Sequence, residues 1–229
     1  MGILANALTI VLGGFFGSLF KSRFDFRDTR IFGICVMLIS AAGVIENLFG
    51  VSGTSLESGN LLFVVFALMA GSLLGSKFRL SERMSRLSSE NIKTPATAAI
   101  DAALFFGIGG LQICGPILLA LNGDSSQLYL KSLVDLPFAL MYGSLYGKSV
   151  MLSAIPVAAV QILIALAAHL SGDFVSDAML SQLCSVGYII LLLGGYNLFC
   201  ETDRKIDNIS AIPAIPMVIV FNAVSGILR

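Results

Sequence analysis

Eight apolar runs, each close to the ~20 residues that cross a bilayer as a helix, constrain this chain more than any motif in it. They cover roughly residues 3–20, 31–49, 60–76, 96–121, 128–147, 149–170, 178–199 and 209–228. Between them there is too little polar chain to coat a soluble domain. Charged residues make up 12% of the sequence, where a soluble domain carries about 25%, and mean hydropathy is +0.91. The predicted fold class is therefore all-α: a polytopic transmembrane helix bundle of about eight spans, with seven as the alternative. Residues 1–229 read as a single integral membrane domain. No Lys or Arg precedes the first run, so it does not read as a signal peptide. Asn6 stands where a myristoylation signal needs Ser or Thr.

The few charges are segregated. With eight spans, the odd-numbered loops hold Lys21, Arg23, Arg27 and Arg30, then Lys77, Arg79, Arg83, Arg86 and Lys93, then Lys148, then Arg204 and Lys205. The even-numbered side holds only Lys131, at the start of the fifth span, and the terminal Arg229. Positive loops stay in the cytoplasm, which predicts both termini outside. The net charge of +0 thus reflects segregation, and no nucleic-acid partner follows from it. The implied partners are the lipid bilayer and a small solute or ion, with a homo-oligomer left open.

The phrases GSLFKS (17–22), GSLLGSK (71–77) and GSLYGKS (143–149) mark the predicted cytoplasmic ends of spans one, three and five. Their small residues permit close helix approach, and their lysines reach the headgroups. Gly147-Lys148-Ser149 lacks the earlier glycine of a phosphate-binding loop. The longest polar stretch, 77–94, places Leu80, Met84 and Leu87 on one helical face and Glu82 and Arg86 opposite. It reads as a short amphipathic cytoplasmic segment on the membrane surface or as a solvated connector.

The fourth span, LFFGIGGLQICGP, carries Gly107, Gly109, Gly110, Gly115 and Pro116 in its central half. Glycine costs a helix ~1 kcal/mol and proline ~3 kcal/mol relative to alanine. Backbone groups freed in lipid must be met by protein or a wet cavity. A broken helix is expected here, offering backbone groups around Gly109, Gly110 and Gly115 to a solute beside Gln112, with Gln161 of the sixth span nearby. A kinked, closely packed helix is the plainer alternative. Lys131 and Asp135 lie at i and i+4 in the fifth span, on one face, and Pro137 two residues on frees a backbone carbonyl beside them. They read as a self-satisfied ion pair or as a gate for the solute. Secondary candidates are Glu46, Asp101, Asn47 and Asn197. The first two, like His169, stand near span ends where snorkelling explains them.

Cys35, Cys114, Cys184 and Cys200 form no metal spacing or disulfide framework. No nucleophile–base pair or acidic cluster accompanies them, so no cofactor, metal or enzyme activity is expected. An echo links Ile39–Phe49, ending Asn47-Leu-Phe, with Ile189–Phe199, ending Asn197-Leu-Phe. It predicts an inverted repeat of spans 1–3 and 6–8 around spans 4–5, against chance likeness between Leu/Gly-rich helices.

The stretch LFFGIGGLQICGPI, with LNGDSSQLYLKSLVDLPFALMYGSLYGKSVMLSAIPVAAVQ after it, resembles the central signature of a prokaryotic inner-membrane family known as domain of unknown function 554. Lys131, Ser132, Asp135, Ser153, Ala154, Pro156 and Gln161 stand at its matching places. Asn6-Ala7-Leu8, Gly13-Gly14, Leu80 to Leu87 and Pro213-Ala214 also fit. Leu118-Leu119 replaces the family's Gln-Asp, Leu136 its glycine, and Phe106-Gly107 interrupts its wording in the fourth span. The resemblance implies a multi-pass protein of the prokaryotic inner membrane and names no substrate. A small-solute or ion transporter is the expected function; a structural or regulatory membrane protein is the alternative.

Overall fold

The computed structural model describes residues 1–20, 30–52, 55–57, 60–87, 94–107, 109–171, 175–200 and 204–227. Lys21, Arg23, Arg27, Lys93 and Arg229, and with them the ends of two predicted polar segments, lie outside these residues. Among the described residues the protein is all-helical apart from one hairpin, β1 (Gly50–Ser52) paired antiparallel with β2 (Ser55–Glu57). The helices are α1 (Gly2–Leu19), α2 (Arg30–Leu48), α3 (Leu61–Lys77), α4 (Leu80–Leu87), α5 (Pro95–Gly107) and α6 (Leu111–Asn122), then α7 (Ser126–Tyr146), α8 (Ala154–Ser171), α9 (Asp177–Phe199) and α10 (Ala214–Ile227).

Four helical runs among the described residues are long and apolar enough to cross a membrane, and up to six if each of two bent pairs is one span. One of the four, 126–171, combines α7, a 3-10 helix at Gly147–Ser153 and α8. Contacts with α1 show that this run doubles back. Gly2 of α1 abuts Leu128 and Gly13 abuts Ala139, so α7 runs parallel to α1. Gly14 abuts Val150 and Met151 while Asn6 bonds Gln161, so α8 returns antiparallel. The reversal occurs at Gly147, whose φ of +76° is a conformation that favours glycine.

Where the sequence reads as one domain, the contacts group into two compact units. The first contains residues 1–28 and 84–172, hence α1 and α5 to α8; the second contains 29–83 and 173–229, hence α2, α3, α9 and α10. Spans one to three therefore do not form a unit of their own, nor do six to eight. The echo does not extend to side-chain contacts either. Asn47 donates to Gly43 O in its own helix at 2.7 Å. Asn197 instead pins the following loop, donating to Ile206 O at 2.7 Å and accepting from Ile206 N at 2.8 Å.

On α1 the packing is small-inside and large-outside. The buried face of α1 is Gly2, Asn6, Ile10, Gly13, Gly14 and Gly17, while Leu4, Leu8, Leu12, Phe15 and Leu19 are exposed. Lipid tails are as apolar as leucine, so no hydrophobic gain drives these helices together, and close backbone packing is what joins them. The first glycine of each repeated phrase is such a contact point. A Cβ on Gly17 would overlap Leu140 O, on Gly71 the backbone of Ala214, and on Gly143 the backbone of Gly14. Lys77 and Lys148 are exposed beyond these contacts, with Lys148 lying 5.9 Å from the Phe15 ring centre.

The short α4 bends by 55° from α3, with Leu80 and Met84 half-buried and Glu82, Arg83 and Arg86 exposed. This is the amphipathic helix expected within 77–94; residues 88–93 lie outside the described ones.

Candidate functional site

The fourth apolar segment is broken, and the break lies upstream of its proline. α5 ends at Gly107 and α6 begins at Leu111, with 64° between them. Gly109 at the corner has φ +146°, a backbone that side-chain-bearing residues rarely adopt. Gly110 caps α6, its carbonyl accepting from Ile113 N at 3.0 Å and Cys114 N at 2.8 Å. α6 then continues through Pro116, whose missing N–H leaves the Gln112 carbonyl without its usual helical donor. Gly115 serves packing rather than the break: a Cβ there would press on Leu128 of α7. A tight turn capped by Gly123 (φ +70°) makes α6 and α7 an antiparallel pair.

The break ends α5 in carbonyls that have no next turn to meet them. Phe106 O accepts from Lys131 Nζ at 2.9 Å, so a cation sits at the negative end of a half-helix. The sequence pointed to a carbonyl freed by Pro137 as the neighbour of this lysine; the carbonyl it uses is that of Phe106. The same Nζ lies 2.8 Å from Asp135 Oδ2, with both side chains almost fully buried. Asp135 Oδ2 also accepts from Asn6 Nδ2 at 2.8 Å. Asn6 Oδ1 in turn accepts from Gln161 Nε2 at 3.1 Å, and the same Nε2 donates to Gln112 Oε1 at 3.0 Å. The chain ends where Gln112 Nε2 donates to Val157 O at 3.2 Å.

Four residues singled out in the sequence, Gln112, Lys131, Asp135 and Gln161, thus meet in one buried network drawn from α6, α7 and α8. α1 adds Asn6, which sequence reasoning did not select as a site residue. Its signal was present: it is the polar member of α1's glycine face, at i−4 from Ile10 and i−7 from Gly13. Gln161 Oε1 is, among the described residues, the buried side-chain polar atom without a hydrogen-bond partner.

The secondary candidates lie elsewhere. Asp101 is half-buried on α5, within electrostatic reach of Tyr142 and Tyr146. Glu46 is exposed on α2, and Asn47 and Asn197 have the structural bonds described above. The second unit holds an amide network of its own. Gln182 Nε2 donates to Asn60 Oδ1 at 3.1 Å, and Asn222 Nδ2 donates to Gln182 Oε1 at 2.6 Å and Val218 O at 2.9 Å. Among the described residues there is no cluster of His, Cys, Asp and Glu suited to a metal.

Residues 1–223 match the family model "Protein of unknown function (DUF554)". The chain belongs to this family. It is 25% identical to the "Uncharacterized membrane protein YdfK" of Bacillus subtilis (strain 168), over 96% of this chain and 95% of that one. It is 26% identical to the "Uncharacterized protein YqgA" of Escherichia coli (strain K12), over 85% of each chain. No solved structure matches it. Family and fold together make it an all-helical membrane protein, and the relatives' names go no further.

Proposed function

We propose that this protein is a small-solute or ion transporter, without enzyme activity, whose site is the polar network at the break between α5 and α6. The observation that carries this reading is the convergence of Asn6, Gln112, Lys131, Asp135 and Gln161 beside a broken helix. Burying so many polar groups in a bilayer is costly, and broken helices at midplane solute sites recur in secondary transporters. In this reading the chain crosses a prokaryotic inner membrane about eight times, with both termini outside. The parallel run of α1 and α7 supports that count, because it requires an odd number of crossings between them: α2, α3 and the bent α5–α6 pair. A cysteine placed at Arg83 in a cysteine-free background should be shielded from impermeant thiol reagents in intact cells, and one at Asp124 should label. The opposite pattern reverses the orientation.

A structural or regulatory role is the second reading. It is favoured by the Lys131–Asp135 pair satisfying itself at 2.8 Å and by the glycine contacts, which need no solute. Proteoliposome flux separates the two when measured for the wild type, Asp135→Asn, and Lys131→Gln with Asp135→Asn. The wild type should carry solute, the single variant should express at a reduced level and lose flux, and the double variant should regain full expression without flux. Full flux in all three variants removes the network from the transport site.

A further inference from the structure

The network leaves one acceptor open, and its polarity is imposed from both ends. An ionised Asp135 only accepts, so Asn6 presents Nδ2 to it and Oδ1 to Gln161. Val157 O also only accepts, so Gln112 presents Nε2 to it and Oε1 to Gln161. Gln161 therefore faces two oxygens and turns its Nε2 to both. The opposite amide orientation would set three oxygens against one another, so Gln161 Oε1 points away from the network. Its side chain is fully buried, and this oxygen has no partner among the described residues. A buried carbonyl oxygen without a donor is rare and costly, which marks it as the place where a ligand's donor fits. The Gln112 carbonyl, released by Pro116, is a further acceptor on the neighbouring α6.

Charge decides the class of ligand. α1 and α6 contain no Lys, Arg, Asp or Glu, and α8 has only the exposed His169 near its end. α5 has Asp101, more than a turn before Phe106, and α7 has only Lys131 and Asp135, which neutralise each other. An ion brought to Gln161 would be buried without a counter-charge. We infer that the site takes a small uncharged solute bearing N–H or O–H donors, of the class of ureas, amides or polyols, with Gln161 Oε1 as its acceptor. This rests on the transporter reading and adds the solute class to it.

The test uses the full-length protein in proteoliposomes. Stopped-flow light scattering follows vesicle re-swelling under inward gradients of urea, acetamide or glycerol. Ion electrodes follow sodium, potassium, methylammonium and chloride in matched vesicles. At least one neutral probe should enter tenfold or more faster than in protein-free liposomes, with no ion flux above that background. Gln161→Leu should abolish the gain. If that variant does not express, Gln161→Asn keeps the amide but withdraws the acceptor by one methylene, and should lower the gain several-fold. Flux of an ion alone overturns the uncharged class and leaves the transporter reading standing. Flux of no probe counts against both. Neutral flux unchanged in a Gln161 variant overturns the assignment of the acceptor.

Discussion

In the first unit, Asn6, Gln112 and Gln161 join α1, α6 and α8; in the second, Asn60, Gln182 and Asn222 join the start of α3 to α9 and α10. Both networks tie three helices with three amides. Only the first is wired to an ion pair, to the end of a broken helix and to an unpartnered oxygen. Amide bonds therefore suffice to hold helices together in this protein. The charges and the break are surplus to that task, and this is the reason to place the solute in the first unit.

The comparison is most sharply tested by removing one member of each network. Asp135→Asn leaves the Lys131 ammonium buried without its counter-charge, which should cost ~3–5 kcal/mol of stability. Gln182→Leu removes interhelical amide bonds worth ~0.6 kcal/mol on average and up to ~1.7 kcal/mol each in a membrane protein. Denaturant unfolding in detergent should rank Asp135→Asn well below Gln182→Leu. Equal losses would mean that the ion pair is no more than another helix tie. An effect of middle size is expected from Gly71→Val, which drives a side chain into the Ala214 backbone; overpacking of this kind costs ~1–3 kcal/mol. The same measurement checks it, and a neutral result would show that α3 and α10 can move apart at no cost.

The helical class was legible from run length and charge alone, because a bilayer leaves a chain so few ways to satisfy its backbone. The broken fourth segment was legible from Gly107, Gly109 and Gly110, and the ion pair from the i, i+4 spacing of Lys131 and Asp135. The division into two units was not. It depends on which small faces meet, and Gly13, Gly17, Gly71 and Gly143 look alike in sequence whichever partner each one touches. Asn6 was missed for a related reason. Periodicity arguments expect large apolar residues inside, whereas α1 turns its leucines outward and buries glycine with one asparagine. The triplets at Asn47 and Asn197 read alike, yet the two asparagines bond to different neighbours, which sequence letters do not reveal.

The parallel contact between α1 and α7 also bears on how the chain is made. Gly17 rests on Leu140, which follows it by 123 residues. At ~5–20 residues per second, α1 waits on the order of 6–25 s after leaving the ribosome before its partner is synthesised. During that interval its glycine stripe and Asn6 face lipid or the insertion machinery, while α2 to α6 are threaded past it. α1 is thus left without its final neighbours until α7 and α8 follow it, and assembly of the polar network must await the second half of the chain.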